Sequence, residues 1–386
     1  MSPARGPALP SVAILGAGPI GLACALLLSA RAIPSRLIDA RSLEQARQDH
    51  RLLALSRGTL QLLSGLLGDG FAPMAPISEV HVSSMGQFGA TRMTSRDFAG
   101  QLLGATVWYS DLVHALARAA EADPGIGVHR PCRALGVEQR PDAVRIRLQD
   151  AAPLEVCIAI NAEGSLPGTG AAAAADALLA EVEVDGLAPG TAIERFTREG
   201  PLALLPVPAG GTGDAAARKS MIWCLDHDLA EQQMAIGDSE FAGKIQAIIG
   251  PRMGRVIRVG PRSRFPLLQQ RRVRLREHRQ VYIGNAAQSL HPVAGQGFNL
   301  GMRDCACLAD CLAQTPDDPP EALKRYEMAR KADRFAISRF TSALPGLFAS
   351  PLAPVAAVRA IALSAFDLAA PLRRTLSSLL MFGVRR

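Results

Sequence analysis

The stretch Ser11-Val-Ala-Ile-Leu15, Gly16-Ala-Gly18-Pro-Ile-Gly21, Leu22–Ala30, followed by Arg36-Leu-Ile-Asp39, decides how this chain is to be read. Ser11–Leu15 is a short apolar run of the kind buried strands use, and Leu22–Ala30 is an apolar helix. Between them stands G-x-G-x-x-G, and beyond the helix a second short strand ends in an acid. That order turns a weak pattern into a dinucleotide-binding unit. Gly16 allows the tight turn, Gly18 lets backbone approach a pyrophosphate, and Gly21 lets helix and strand pack closely. Asp39, 23 residues after Gly16, is placed to accept hydrogen bonds from adenosine ribose hydroxyls. The unit predicts a bound ADP moiety.

A second glycine loop lies far downstream: Gly284-Asn-Ala-Ala-Gln-Ser-Leu-His-Pro-Val-Ala-Gly295-Gln-Gly297-Phe-Asn-Leu-Gly301. It follows Val281-Tyr-Ile283, which reads as a buried strand. After Gly297 the apolar residues Phe298, Leu300, Met302, Cys305 and Leu308 resume helical spacing. Glycines 295, 297 and 301 let backbone pass close to a bulky flat ligand. A helix N-terminus reached through Gly-Gln-Gly also suits negative charge. A plain glycine-rich connection between two core elements stays open on this stretch alone. The first motif does not choose between NAD and FAD. Two glycine loops more than about 260 residues apart suit a long cofactor held at both ends, as FAD would be.

Composition narrows the field. The 386 residues allow two domains with ample core, and 48% hydrophobic with 20% charged residues is ordinary for a globular protein. Aromatics are only 4%, which argues against stacking on nucleic-acid bases. The net charge of +7 is mostly arginine, with ten arginines between Arg252 and Arg279. Arg272, Arg274 and Arg276 alternate with Val273 and Leu275, as on a half-exposed strand with a solvated face. An anionic cofactor or a negatively charged membrane surface is the alternative. Seven scattered cysteines point to a reducing compartment rather than a disulfide framework. The cluster Cys305, Cys307, Cys311 reads as small core residues, and no metal site is expected. Residues 1–10 read as a frayed tail without a targeting signal. The uncharged run from Phe340 to Val358 holds Pro345, Pro351 and Pro354, so no spanning helix is expected.

Further along, Arg51 heads the apolar segment Arg51–Arg57 and suits a phosphate or ribityl contact as well as a plain surface position. Thr59–Leu67 and Asp111–Ala120 read as helices, residues 72–95 as short strands. Short strands are expected at 126–130, 133–139, 143–148 and 154–162, then at 182–184, 190–196, 202–205 and 220–225, with 166–180 as a loose connection. Arg272–Leu275 and Gln280–Ile283 lead back to the second loop. The fold class is α/β: a Rossmann-like FAD-binding domain (11–72, 97–165 and 271–340) interleaved with a mixed α+β substrate domain (73–96 and 166–270), followed by a helical segment at 341–386.

With these pieces in place the chain resembles the single-component FAD aromatic hydroxylases of the para-hydroxybenzoate hydroxylase-like fold. Within them it is most similar to the ubiquinone-biosynthesis hydroxylases of the 2-polyprenyl-6-methoxyphenol branch. The resemblance runs roughly from Val12 to Leu380. Its specific carriers are Gly284–Asp304 and Arg195-Phe-Thr-Arg-Glu-Gly-Pro-Leu-Ala-Leu-Leu-Pro206, with Asn-Ala-Ala-Gln where sister enzymes carry Asp-Ala-Ala-His.

The resemblance implies roles. Gly16, Gly18 and Gly21 would hold the ADP pyrophosphate, Asp39 the ribose and Arg51 the middle of FAD. Asn285 would meet the ribityl chain with an acceptor oxygen but without the charge of the family's aspartate. Gly295, Gln296, Gly297, Phe298 and Asn299 would bring backbone N–H groups to the pyrimidine end of the flavin. His291 and Pro292 would line the flavin face toward the substrate. The implied chemistry is reduction of FAD by NADPH or NADH, capture of O2 as a C4a-hydroperoxide and oxygen transfer to an electron-rich ring. The family's middle motif is Ala-Asp-Gly with a following serine and arginine. Here it is Ala162-Glu163-Gly164-Ser165 with no arginine near, so no catalytic residue is carried over from it.

The implied partners are a polyprenylated phenol, O2, a membrane surface and other ubiquinone-biosynthesis proteins, with no nucleic acid. The implied location is cytoplasmic, peripheral at the inner face of the membrane. Sparse charges among Ile361, Leu363, Phe366, Leu376, Leu380 and Phe382 suit an interface with membrane or partner, and equally packing on the chain's own domain. Two other readings stay open: hydroxylation of a soluble phenol, and a weakly active flavin-binding scaffold in a biosynthetic complex.

Overall fold

The computed structural model describes residues 12–68, 71, 73–85, 90–164, 175–209, 218–268, 270–289 and 295–349. Its architecture grows from the opening motif. β1 (Val12–Leu15) is buried throughout, α1 (Pro19–Ser29) leaves it through the glycine loop, and β2 (Ser35–Ile38) returns parallel to β1. α1 is apolar almost all round because it has neighbours on several sides, including α4 and α7 introduced below. α2 (Leu43–Arg47) starts on a reciprocal cap in which Ser42 and Gln45 each accept the other's backbone N–H.

β3 (Leu52–Ser56), α3 (Arg57–Leu67), β4 (Met74–Ile77), β5 (Glu79–Ser84) and β6 (Ala90–Thr94) follow. β7 (Gly104–Trp108) then runs antiparallel between β3 and β4, a small sheet that the sequence reading did not anticipate. α4 (Tyr109–Ala122) leads to β8 (Ile126–His129), which extends the first sheet beside β2. β9 (Ala134–Gln139), β10 (Val144–Leu148) and β11 (Leu154–Val156) make an antiparallel meander. β12 (Ile158–Asn161) re-enters parallel to β1, so the expected run 154–162 is two strands in different sheets, parted at Cys157.

The second large sheet has the order β17-β13-β16-β15-β14-β5-β6, built from β13 (Ala175–Asp185), β14 (Thr191–Phe196), β15 (Pro201–Pro206), β16 (Arg218–Asp226) and β17 (Arg255–Val259). β18 (Ser263–Pro266) pairs with the first half of β13. Residues 175–180, expected in a loose connection, are therefore strand. Partners on both sides, β16 and β18, override the weak strand preference of an alanine-rich run. Two helices absent from the sequence reading, α5 (His227–Ala235) and α6 (Asp238–Ile249), cover one face of this sheet. Phe241, Ile245 and Ile248 of α6 share a core there with Leu178, Val182 and Trp223.

The chain returns to the first sheet through β19 (Gln270–Arg271), β20 (Arg276–Glu277) and β21 (Gln280–Tyr282), then runs through β22 (Gln288–Ser289), α7 (Gln296–Gln314) and α8 (Pro319–Ala349). The first sheet is β20-β21-β12-β1-β2-β8, parallel except at β20. The expected strand Arg272–Leu275 is not one. Val273 is 98% exposed while Leu275 is 1% exposed, although a strand would put both on one face. Leu275 is instead held by long-range bonds: its N–H donates to Glu327 in α8 and its carbonyl accepts from Tyr282. Among the described residues no helix is long and apolar enough to cross a membrane. Most of the expected segment 341–386 lies outside the described residues, and α8 is helical as far as Ala349.

Candidate functional site

The first glycine loop is built as tightly as its sequence demands. Gly16 has φ +102°, and a Cβ there would lie 2.7 Å from the carbonyl oxygen of Ala162. A Cβ on Gly21 would stand 1.8 Å from the Gly16 carbonyl oxygen, so helix and loop touch backbone to backbone. Gly18 caps α1 with Pro19 at the first helical position. This leaves the N–H groups of the first turn, which have no partner within the helix, facing out of the loop.

Asp39 is buried at the end of β2 and accepts from the Ala17 N–H and from the Arg41 N–H, each at 2.7 Å. It therefore sets the loop's shape, and its two oxygens keep lone pairs for a further donor. Tyr109, at the start of α4, brings its hydroxyl to 3.2 Å from where a Gly18 Cβ would be. Burial opposes the Arg41 charge, yet Tyr109, Asp39 and Asp49 together hold its guanidinium above the ordinary arginine range. Arg51, expected at the middle of the cofactor, binds Asp49 through Nε at 2.9 Å and stands 5.3 Å from the Tyr109 ring centroid. The hydrogen bond to Asp49 raises the Arg51 pKa. Tyr109, Arg41 and Asp49 are additions that local sequence patterns did not signal.

The middle motif passes directly beneath this loop. The Ala162 N–H donates to the Leu15 carbonyl, and the Ile283 N–H to the Asn161 carbonyl. Glu163 turns its carboxylate back to the Asn161 side-chain amide at 3.2 Å.

The second glycine loop packs onto the first through Ile20. Gly284 has φ +58°, with its Cβ position 3.2 Å from Ile20 Cγ2, and the Gly301 Cβ position is 2.8 Å from Ile20 Cδ1. The structure thus brings together two motifs that lie at opposite ends of the sequence. Asn285 sits on a 3-10 turn, Gly284–Ala286, and is exposed. From Gly301 the helix α7 runs back to Gln296, roughly 8 Å along its axis at 1.5 Å per residue. The first turns of α1 and α7 thus belong to one contiguous packing region centred on Ile20.

At the start of α7 the expected residues divide. Gly295 takes a left-handed conformation, φ +58°, against Ala54 of β3. Gly297 has no atom of the described residues within 4 Å of where a Cβ would stand. Phe298 packs on the main core and Gln296 is buried, accepting from Arg303 at 3.1 Å. Asn299, expected to contribute through its backbone, uses its side chain to join two elements. Its Oδ1 accepts from the Ser56 N–H at 2.8 Å, and its Nδ2 donates to the carbonyls of Ala54 (2.9 Å) and Gly295 (2.8 Å). That amide is a clamp between β3 and α7, spent on backbone. His291 and Pro292 lie outside the described residues.

Beneath the second loop lies an arginine-rich lattice. Asp304, fully buried, accepts from Arg330 Nε at 2.7 Å and from the Gly284 N–H at 3.2 Å. Asp333 receives Arg303 and Arg330, and Arg334 reaches Gln288 and the Ala287 carbonyl. Burial opposes the Arg330 charge, yet Asp304 and Asp333 hold its pKa above the ordinary value. Arg272 donates to the Ala286 carbonyl and lies 3.6 Å from the Tyr282 ring centroid. Burial, helped by Glu277, pushes the Tyr282 phenol up to about 12. The arginines read as a solvated face thus include one that caps the site. These residues fit FAD: a cradle that any Cβ at Gly16 or Gly21 would fill, and a second helix start with no described atom within 4 Å of a Gly297 Cβ.

The protein family described as FAD binding domain matches residues 10–155 and 174–341. Ubiquinone hydroxylase UbiL of Rhodospirillum rubrum is 28% identical over 385 residues, covering 94% of this chain and 87% of that protein. The 3-demethoxyubiquinol 3-hydroxylase of Escherichia coli is 25% identical over 384 residues, covering 94% and 96%. Among solved structures, p-nitrophenol 4-monooxygenase PnpA from Pseudomonas putida matches with a TM-score of 0.72 at 15% identity, over 98% of this chain and 99% of that one. At that identity the likeness is one of fold, and it is the fold the sequence led us to expect.

Proposed function

The chain belongs to the FAD binding domain family, and on that premise we propose that it is an FAD-dependent, NAD(P)H-using monooxygenase that hydroxylates a polyprenylated phenol in ubiquinone biosynthesis. The observation that carries the reading is the meeting of the two glycine loops at Ile20, in a chain two of whose full-length relatives are named as a ubiquinone hydroxylase and a 3-demethoxyubiquinol 3-hydroxylase.

The chemistry FAD supplies when bound is hydride uptake from nicotinamide and delivery of one oxygen atom from O2 to the ring. The chain's own part is to hold, orient and exclude water. The loop Gly16–Gly21 and the first turn of α1 hold the pyrophosphate, and Asp39 accepts from the ribose while it fixes the loop. Arg51 and Asn285 serve the middle of the cofactor. The N–H groups at Gln296, Gly297 and Phe298 stabilise negative charge at the pyrimidine end. His291 and Pro292 line the face toward the substrate.

A polyprenylated phenol partitions into membrane, so the protein works at a membrane surface, with residues 341–386 as the docking segment. The test is genetic and chemical together. Expression in a strain lacking the hydroxylation step is expected to restore quinone and clear the accumulated phenol. A purified protein without FAD that also fails to restore quinone contradicts the reading.

A further inference from the structure

The second large sheet has two unlike faces. Strand alternation puts Ile193 and Arg195 on one of them, where Ile193 joins the core under α5 and α6 and Arg195 Nε donates to the Ile248 carbonyl at 2.9 Å. Ala192, Glu194 and Phe196 therefore share the other face. Ala192 packs there with Leu205 and Val80 of the same sheet and with Ile77 of β4 and Leu103 just before β7. That contact closes one end of the face against the β3-β7-β4 sheet, and Thr106 of β7 adds a hydrogen bond to the Pro206 carbonyl at 2.6 Å. β3 of that small sheet is the strand that Asn299 clamps to the start of α7. The same face is thus linked, through β4 and β7, to the strand that is clamped to the start of α7.

The next row across the sheet is Val82, Glu194, Ala203 and Ile222, paired in register through β5, β14, β15 and β16. All four are half-buried, so the row is partly open rather than packed shut. It presents one carboxylate among apolar side chains. Cys224, two residues beyond Ile222 in β16, lies on the same face, and burial, with the charge of Glu194, pushes its thiol up.

We propose that Glu194 is a catalytic residue that receives the hydroxyl hydrogen bond of the phenol and takes its proton during oxygen transfer. The role rests on the hydroxylase reading above. A carboxylate flanked by Val82, Ala203 and Ile222 suits a ring that carries apolar substituents and one hydroxyl to be fixed. A ground-state phenol keeps its proton against a carboxylate, since their ordinary pKa values are about 10 and 4.3. The balance changes as a ring electron pair forms the new C–O bond to one atom of O2 and the O–O bond breaks. The other oxygen atom leaves with that bond's electron pair and ends as water, taking up the proton lost from the ring carbon, while NAD(P)H, through the flavin, supplies the two reducing electrons. The O–H bond then breaks, its electrons become the second bond of a ring C=O, and the proton passes to Glu194. Loss of the proton on the hydroxylated ring carbon restores aromaticity.

The test compares wild type, Glu194→Gln and Glu194→Asp as FAD-loaded proteins, with a short-chain polyprenyl phenol as probe. Flavin content establishes folding. Gln keeps an acceptor oxygen but cannot take a proton. Glu194→Gln is therefore expected to bind the phenol within about threefold of wild type by flavin fluorescence, while hydroxylation falls about 100-fold or more. Glu194→Asp is expected to recover part of that loss. Hydroxylation by Glu194→Gln within about threefold of wild type overturns the role of Glu194 alone. So does an equal loss of binding and turnover that Asp does not relieve. Wild-type protein that hydroxylates no phenol overturns the functional reading itself, and with it this role.

Discussion

The side-chain oxygen of Asn299 accepts the backbone N–H of Ser56 at 2.8 Å, across 243 residues of sequence. With the two carbonyl contacts of the same amide, this fastens β3 to the helix start that faces the flavin end. Asn299→Ala leaves three half-buried backbone groups without that partner. It is expected to destabilise the protein by about 3 kcal/mol and to weaken FAD binding with it. Denaturant unfolding and flavin titration measure the two effects.

Glycines at the site separate into two kinds. Gly21→Ala forces a Cβ into the Gly16 carbonyl oxygen, so the protein is expected to purify without flavin. Gly297→Ala meets no atom within 4 Å among the described residues, and alanine in a helix is worth up to about 1 kcal/mol over glycine. That variant is expected to unfold at equal or higher denaturant than wild type when FAD-free, yet to bind FAD more weakly. Equal affinity for FAD would mean that the cofactor does not approach Gly297.

The Asp304–Arg330 pair is buried on both sides. Removing one partner leaves an uncompensated charge in the interior, which costs about 3–5 kcal/mol. Asp304→Asn and Arg330→Met are each expected to lose stability on that scale, more than an exposed pair such as Arg140–Glu155, whose loss is worth about 1 kcal/mol at most.

Lys219 is fully buried, with Nζ donating to the carbonyls of Ala188, Pro189 and Thr191, and burial lowers its pKa from 10.5 to about 8. Between pH 8 and 10.5 the unfolded chain therefore holds the proton that the folded chain has lost. The contribution of Lys219 to stability rises with pH through that window, by about 3 kcal/mol at most. The stability difference between wild type and Lys219→Met, measured at pH 7 and again near pH 10, is expected to shift toward wild type on that scale. A constant difference contradicts the shift.

The parts of the fold legible in the sequence were those fixed by local chemistry. β1, the glycine loop, α1 and β2 follow one another within 27 residues, from Val12 to Ile38, and each is specified by its own side chains. The strands of the second sheet were legible where apolar residues alternate, as at Thr191–Phe196. What failed was set by distant partners. Leu275 owes its burial to a turn held by Glu327, and the Arg272 side chain is drawn to the Ala286 carbonyl and the Tyr282 ring. β7 is specified by its pairing with β3 and β4 rather than by its composition. At the site, Asn299 was expected to act through its backbone, and only the structure shows its side-chain amide committed to β3. Glu194 lay in the expected strand 190–196, one residue before the motif Arg195–Pro206, but its significance depends on which face of the sheet it occupies.

The central claim is that this chain uses FAD to place one atom of O2 on a polyprenylated phenol. The most direct measurement is turnover of FAD-loaded protein with NAD(P)H, such a phenol and isotopically labelled dioxygen, read by mass spectrometry of the product. The account predicts one labelled oxygen atom per hydroxylated phenol, formed only with flavin bound. Oxidation of NAD(P)H with no label in the phenol, or label taken from water, would contradict it.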